Sequence, residues 1–279
     1  MLLLIFASCT TIEIDEEDVF DVKRTIDPSY FQNTAYHLKE VSFLSENKLD
    51  LEGWFIRHPS SRGTVIFYGG NGFLMETAHW IIRAIVRSQV NLFIFNYRGY
   101  GKNPGKPSIA GLKADGIAAF DYAVDSLGIK PSQIILHGHS LGTIVGSYVA
   151  ARKEVAALIM ESPVSEVSYY TEKMLPKFLR PFIQFNVDSN LLVESNTAQL
   201  SNLSVPLLII VGNEDPITPP AMAKSLYDKA PMQEKNLEIL DGGGHNNLPE
   251  RKDYQNIIGI FYQNSLKQNF TKNAKSIAN

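Results

Sequence analysis

The chain has 279 residues, of which 44% are hydrophobic and 20% charged, with a formal net charge of -3. That length suits one α/β domain with a short insertion, the composition supports a real hydrophobic core, and the small net charge leaves no electrostatic footprint for nucleic acid. A single cysteine, Cys9, excludes an intramolecular disulfide framework.

The chain opens on MLLLIFASCT, an apolar run far too short to span a bilayer but of the length of a signal-peptide hydrophobic region. The small residues before Cys9 resemble the lipobox of bacterial lipoproteins, with Phe6 where Leu is usual and no Lys or Arg ahead of the run. That resemblance implies lipidation at Cys9, a membrane contact through the N-terminal lipid anchor, and a place in the bacterial cell envelope. Thr10, standing where Asp would retain the protein, suggests the periplasmic side of the outer membrane. An uncleaved, frayed N-terminus instead implies a cytoplasmic protein. Residues 1–35 are read as signal, lipobox and tether, the tether beginning with the acidic TTIEIDEEDVFD.

Residues 36–266 read as one domain. YHLKEVSFL and LDLEGWFIR alternate on either side of the turn-like SENK, which predicts an antiparallel hairpin with one buried face. The period then changes. GTVIFYG, NLFIFNYRG, QIILHGHS, VAALIMESP and VPLLIIVGNED are short apolar runs, as strands of a parallel sheet covered on both faces must be. Between them lie the helical stretches METAHWIIRAIVRSQ, AGLKADGIAAFDYAVDSLG and LGTIVGSYVAARK. PPAMAKSLYDKA, the strand KNLEIL and a last helix within RKDYQNIIGIFYQNSLK complete the set. Residues 164–204 interrupt the alternation. There YYTEKMLPKFLRPFIQF mixes aromatic residues with Lys173, Lys177 and Arg180, and reads as a lid insertion or as a helix packing its apolar face on the sheet edge. Residues 267–279 form a polar tail without apolar period, expected to be disordered from about Gln268.

The chemistry concentrates around GHSLG, residues 138–142. Between an apolar strand and an amphipathic helix, Gly-x-Ser-x-Gly predicts a tight turn that exposes the Ser140 hydroxyl as nucleophile. A serine needs a base, and the base an orienting carboxylate. Asp215 in IIVGNEDPITPP and His245 in LDGGGHNNLP follow later strands in the chain order Ser, Asp, His, so all three can converge at the carboxyl edge of the sheet. Glu214, Asp241 and Glu161 compete for the acid's role, with Glu161 second to Asp215. The amides of Asn71, in IFYGGNGF, and of Leu141 are the expected oxyanion donors. His137 and His139 are read as packing residues, while His37, His58 and His79 fall on segments away from the catalytic edge. YRGYG, residues 97–101, reads as a structural turn whose arginine holds neighbouring loops. With no HExxH, paired CxxC or GxxxxGKS pattern in the chain, neither metal nor cofactor is expected.

On GGNG, NYRGYGKNPGKPS, GHSLG, ESP, VGNEDPITP and GGGH, the chain from about residue 36 to 266 resembles the α/β-hydrolase superfamily. Within it the likeness is to the esterase, thioesterase and lysophospholipase-like branch that includes the Bem46 and ABHD-type hydrolases. The resemblance implies the α/β-hydrolase fold, a mostly parallel sheet flanked by helices, with an antiparallel N-terminal hairpin and a short helical lid insertion. It further implies a serine hydrolase acting without cofactor on a small acyl ester, thioester or lipid. Gly69 departs from the pattern, because a histidine usually precedes the Gly-Asn pair. The motifs do not fix the bond cleaved. An aminopeptidase-type peptidase on the same triad, and a non-catalytic surface lipoprotein that uses the fold for binding, are the alternatives.

Overall fold

The computed structural model describes residues 10–14, 37–166, 183–187 and 195–277. In chain order its strands are β1 (Thr10–Ile14), β2 (His37–Leu44), β3 (Asp50–Arg57), β4 (Thr64–Tyr68), β5 (Asn91–Phe95), β6 (Ile134–His139), β7 (Ala157–Glu161), β8 (Ile183–Val187), β9 (Leu207–Gly212) and β10 (Lys235–Leu240). The α-helices are α1 (His79–Val86), α2 (Ile109–Asp125), α3 (Gly142–Ala150), α4 (Asn196–Leu200), α5 (Pro220–Lys229) and α6 (Lys252–Ile277).

Eight strands form one sheet in the order β10-β9-β7-β6-β4-β5-β3-β2. β2 and β3 make the expected antiparallel hairpin and β3 runs antiparallel to β5, while the remaining neighbours are parallel. Alternate residues of the inner strands enter opposite layers. Phe93 and Phe95 join a core with Leu112 and Phe120 of α2 and Val145 of α3, whereas Leu92 and Ile94 pack with Ile81 of α1 and Ile258 of α6. Both faces of each such strand lose contact with water, which is why the sequence shows continuous apolar runs there. β5 and β6 lie on opposite sides of β4. The loops after β4 and β6 therefore leave from a switch point at the carboxyl edge, where open α/β sheets place their ligands.

The structure departs from the sequence reading at several elements. α1 is confined to His79–Val86, preceded by a 3-10 turn over Met75–Thr77, and the chain turns left-handed at Gln89. α6 does not stop near Gln268 but runs on to Ile277. No Gly or Pro interrupts residues 268–277, and extending an existing helix costs far less than nucleating one. The first five residues of the expected tether are strand β1, paired in parallel with β8 inside the expected lid helix. Thr10, Thr11, Ile12 and Ile14 are β-branched, and such residues favour extended backbone. Cys9 with the apolar run before it, and residues 167–182 and 188–194 of the insertion, lie outside the described residues. Among the described residues no helix is long and apolar enough to cross a membrane.

Candidate active site

Ser140 stands between β6 and α3 with φ of +52°. A left-handed non-glycine residue costs about 1–2 kcal/mol, so the neighbours must hold the turn. Ser140 N–H donates to the Glu161 carbonyl at 2.9 Å, and the Ser140 carbonyl accepts from Thr143 N–H at 3.0 Å and Thr143 Oγ1 at 2.6 Å. The flanking glycines are steric necessities. A Cβ on Gly138 would lie 2.4 Å from the Gly142 carbonyl oxygen, and one on Gly142 would lie 2.0 Å from that of Tyr68. Together they let α3 close down on β6 and β4, leaving the Ser140 side chain at the carboxyl edge. The Leu141 N–H heads the first turn of α3, where amides have no intrahelical acceptor and the helix field favours negative charge.

Asp215 and His245 follow β9 and β10. His245 Nδ1 is 2.8 Å from Asp215 Oδ2, and that oxygen also accepts from Thr218 Oγ1 at 2.7 Å. Asp215 Oδ1 accepts from the N–H groups of Ile217 and Thr218 at 2.9 and 2.8 Å. Burial acts to raise the carboxyl's pKa, but the hydrogen bond and charge of His245 and the Thr218 donors outweigh it and hold Asp215 at about 2. Asp215 is thus a carboxylate at neutral pH. Its Oδ2 accepts a hydrogen bond from His245 Nδ1–H, the tautomer that leaves Nε2 as the nitrogen able to take a proton. The two loops also bind each other. Glu214 N–H donates to the Gly243 carbonyl at 2.8 Å, and the Asn213 side chain joins Asp241 Oδ1 at 2.6 Å and Gly242 N–H at 2.8 Å. Glu214 and Asp241 are both exposed, so of these three neighbouring acids Asp215 is the one turned to the histidine.

Glu161, the second candidate acid, faces the core. Its Oε2 accepts from Tyr254 Oη at 2.7 Å and lies 3.2 Å from His137 Nε2, whose ring is held at Nδ1 by Tyr262 Oη at 2.9 Å. His137 is therefore a satisfied core histidine, as the sequence suggests. The reading of His79 needs correcting. α1 starts at the catalytic edge, where Trp80, the residue after His79, packs edge-on to His139 with ring centroids 6.4 Å apart.

The oxyanion loop is also more tightly specified than its sequence suggests. A Cβ on Gly70 would lie 3.2 Å from Ser140 Cβ, so Gly70 is the residue of this loop pressed against the nucleophile. Asn71 is exposed, and its Oδ1 accepts from Tyr100 Oη at 3.1 Å. YRGYG thus does two things. Arg98 holds buried Asp115 through Nη2 at 2.7 Å and Nε at 3.0 Å, fixing the turn to α2, while Tyr100 reaches the oxyanion loop. At Gly69, Phe73 fills the place of a side chain, because a Cβ there would lie 2.1 Å from the Phe73 ring.

Two supporting residues are not picked out by the sequence reading. Thr218 is signalled weakly by its place three residues after Asp215, the spacing of a side-chain-capped turn. Asn196 has no such signal. Fully buried, it donates to Thr143 Oγ1 at 2.9 Å and to the Val164 carbonyl at 2.6 Å, and accepts from Ser147 Oγ at 2.5 Å, tying the serine turn to the returning insertion.

The sheet order, the strained serine after β6 and the acid and histidine after β9 and β10 are those of the α/β-hydrolase fold. Comparison with known proteins agrees. Residues 65–190 match the family model described as alpha/beta hydrolase fold, and residues 180–252 match that of serine aminopeptidase, S33. The chain has the α/β-hydrolase fold and is similar in sequence to these two families over residues 65–252. It is 29% identical over 234 residues to uncharacterized protein YfhR of Salmonella typhi, covering 77% of each chain. Uncharacterized protein Rv2307c of Mycobacterium tuberculosis is also 29% identical, over 217 residues, covering 77% of this chain and 74% of the relative. Among solved structures, Pyrococcus furiosus esterase Pf2001 superposes with a TM-score of 0.69 at 20% identity, over 88% of this chain and 99% of the esterase. The Pyrococcus horikoshii acylaminoacyl peptidase superposes with a TM-score of 0.63 at 17% identity, over 85% of this chain and 43% of the peptidase.

Proposed function

We propose that the protein is a serine hydrolase that cleaves carboxylic esters or thioesters through Ser140, His245 and Asp215. The observation that carries this reading is the pairing of His245 Nδ1 with Asp215 Oδ2 at 2.8 Å, which leaves Nε2 available at the edge where the half-buried Ser140 stands on its left-handed turn. His245 Nε2 withdraws the Ser140 proton as Oγ attacks the acyl carbonyl. Asp215 stabilises the imidazolium, and the amides of Asn71 and Leu141 receive the oxyanion. His245 then protonates the leaving group and activates the water that releases the acyl chain. The test is hydrolysis of p-nitrophenyl esters of graded chain length together with fluorophosphonate labelling. Ser140→Ala is expected to keep the fold, lose the label and lose turnover by about 10⁴-fold or more; near-normal turnover in that variant overturns the reading.

The match of residues 180–252 to the serine aminopeptidase model favours a second reading, removal of N-terminal residues from short peptides by the same triad. A labelled protein that ignores esters but cleaves aminoacyl anilides would support it. A folded protein that takes no label would favour the non-catalytic binding reading. The lipid anchor at Cys9 belongs to the same proposal. A diacylglyceryl adduct on Cys9 in material from the native envelope supports it, and an unmodified Cys9 there overturns it.

A further inference from the structure

His139, the residue inside GHSLG that precedes the nucleophile, is buried at 6% exposure, yet it meets the base, the oxyanion loop and the start of α1. Its Nε2 lies 3.0 Å from the His245 carbonyl oxygen, and the two rings have centroids 5.1 Å apart. A carbonyl can only accept, so Nε2 carries a proton and donates. On another side, a Cβ on Gly70 of the oxyanion loop would fall 2.9 Å from His139 Nδ1, and Trp80 of α1 closes the pocket edge-on. Burial pushes the imidazole's pKa down from its ordinary value, which keeps the ring a neutral donor.

The topology explains why such a bond is needed. β10, which delivers His245, is separated from β6 by β9 and β7, roughly 14 Å across the sheet at the usual strand spacing. The loop after β10 must reach back across that distance to bring its histidine beside Ser140. Asp215 and Thr218 orient the ring, but both belong to the β9 loop, which is bonded to the β10 loop rather than to the strand that carries Ser140. The His139 Nε2–His245 O bond runs instead from the nucleophile strand itself to the backbone of the base.

We infer that His139 is a positioning residue which sets the distance between nucleophile and base by clamping the His245 carbonyl to the strand that carries Ser140. The inference rests on the serine-hydrolase reading above. A glutamine at this position can place its Nε2 donor where the imidazole Nε2 stands, an asparagine is too short to do so, and a leucine has no donor.

The experiment measures kcat and KM for p-nitrophenyl butyrate, the rate of fluorophosphonate labelling and the melting temperature for wild type and for His139→Gln, His139→Asn and His139→Leu. Displacing a reacting group by an ångström costs about 100-fold. The Asn and Leu variants are therefore expected to lose about 10–100-fold in kcat and in labelling rate with KM nearly unchanged, while Gln recovers most of the loss. If Leu keeps wild-type kcat, or Gln falls as far as Asn, the clamp is overturned, because packing alone would then account for the residue. Should Leu fail to fold, the Gln-against-Asn difference decides by the same criterion. A wild-type protein that neither labels nor turns over overturns the serine-hydrolase reading and the clamp with it; an active wild type with an unaffected Asn variant overturns the clamp alone.

Discussion

Two carboxylate–imidazole pairs lie near the carboxyl ends of neighbouring parallel strands, Asp215 with His245 at 2.8 Å and Glu161 with His137 at 3.2 Å. Both are buried and hydrogen-bonded. In the Glu161 pair both ring nitrogens are engaged, one by the carboxylate and one by Tyr262, and neither side chain touches water. In the Asp215 pair the carboxylate and Thr218 gather at Nδ1, and His245 retains 9% side-chain exposure at the edge where Ser140 stands. A histidine beside an acid becomes a base when its second nitrogen is left uncommitted and reachable. When that nitrogen is committed as well, the same chemistry is structural.

The sharpest way to break this contrast is to remove each pair in turn. His245→Ala is expected to lower kcat by about 10⁴–10⁶-fold, and Asp215→Asn by about 10⁴-fold together with the loss of the carboxylate's own contribution to stability at neutral pH. Glu161→Ala should do the reverse. It leaves His137, Tyr254 and Tyr262 facing an empty site and is expected to cost about 3–5 kcal/mol in urea unfolding, with kcat close to wild type because the Ser140 N–H bonds the Glu161 backbone. Equal activity losses from both acids would erase the distinction.

Subtler changes sharpen it. Thr218→Val removes the hydroxyl donor to Asp215 Oδ2, and is expected to reduce kcat by about 10-fold, the order expected for a hydrogen bond to a charged group. Acid titration addresses the same carboxylate. With a folded-state pKa of about 2 against the ordinary 3.8, its contribution to stability is fully present above about pH 4 and is lost as the pH falls through 4 towards 2. The urea midpoint of the wild type should decline across that window more steeply than that of Asp215→Asn. The smallest effect is expected from Tyr100→Phe. It removes the hydroxyl that donates to Asn71 Oδ1 and should reduce kcat by about threefold, within the order of one neutral hydrogen bond.

Much of this architecture is legible in the linear chain. The inner parallel strands announce themselves as apolar runs because both of their faces are buried. The serine turn does so through two glycines whose Cβ atoms would strike backbone 2.4 and 2.0 Å away. The acid was harder to read, since Glu161, Glu214, Asp215 and Asp241 all follow or end strands on the same edge. The far end of α6 was missed for a different reason. A helix already nucleated continues through a polar stretch that has no apolar period of its own.

The sequence alone determined the fold class, the nucleophile and the order in which acid and histidine follow, because strand periodicity, glycine sterics and turn spacing act over a few neighbouring residues. Only the tertiary structure decided which carboxylate meets which imidazole. It alone revealed that Thr218 fastens the acid, that Asn196 anchors the serine turn and that Tyr100 grips Asn71. Most of those bonds join residues tens of positions apart, 30 between Asp215 and His245 and 106 between His139 and His245. A buried polar group must find a partner wherever folding brings one, and the linear chain does not say which.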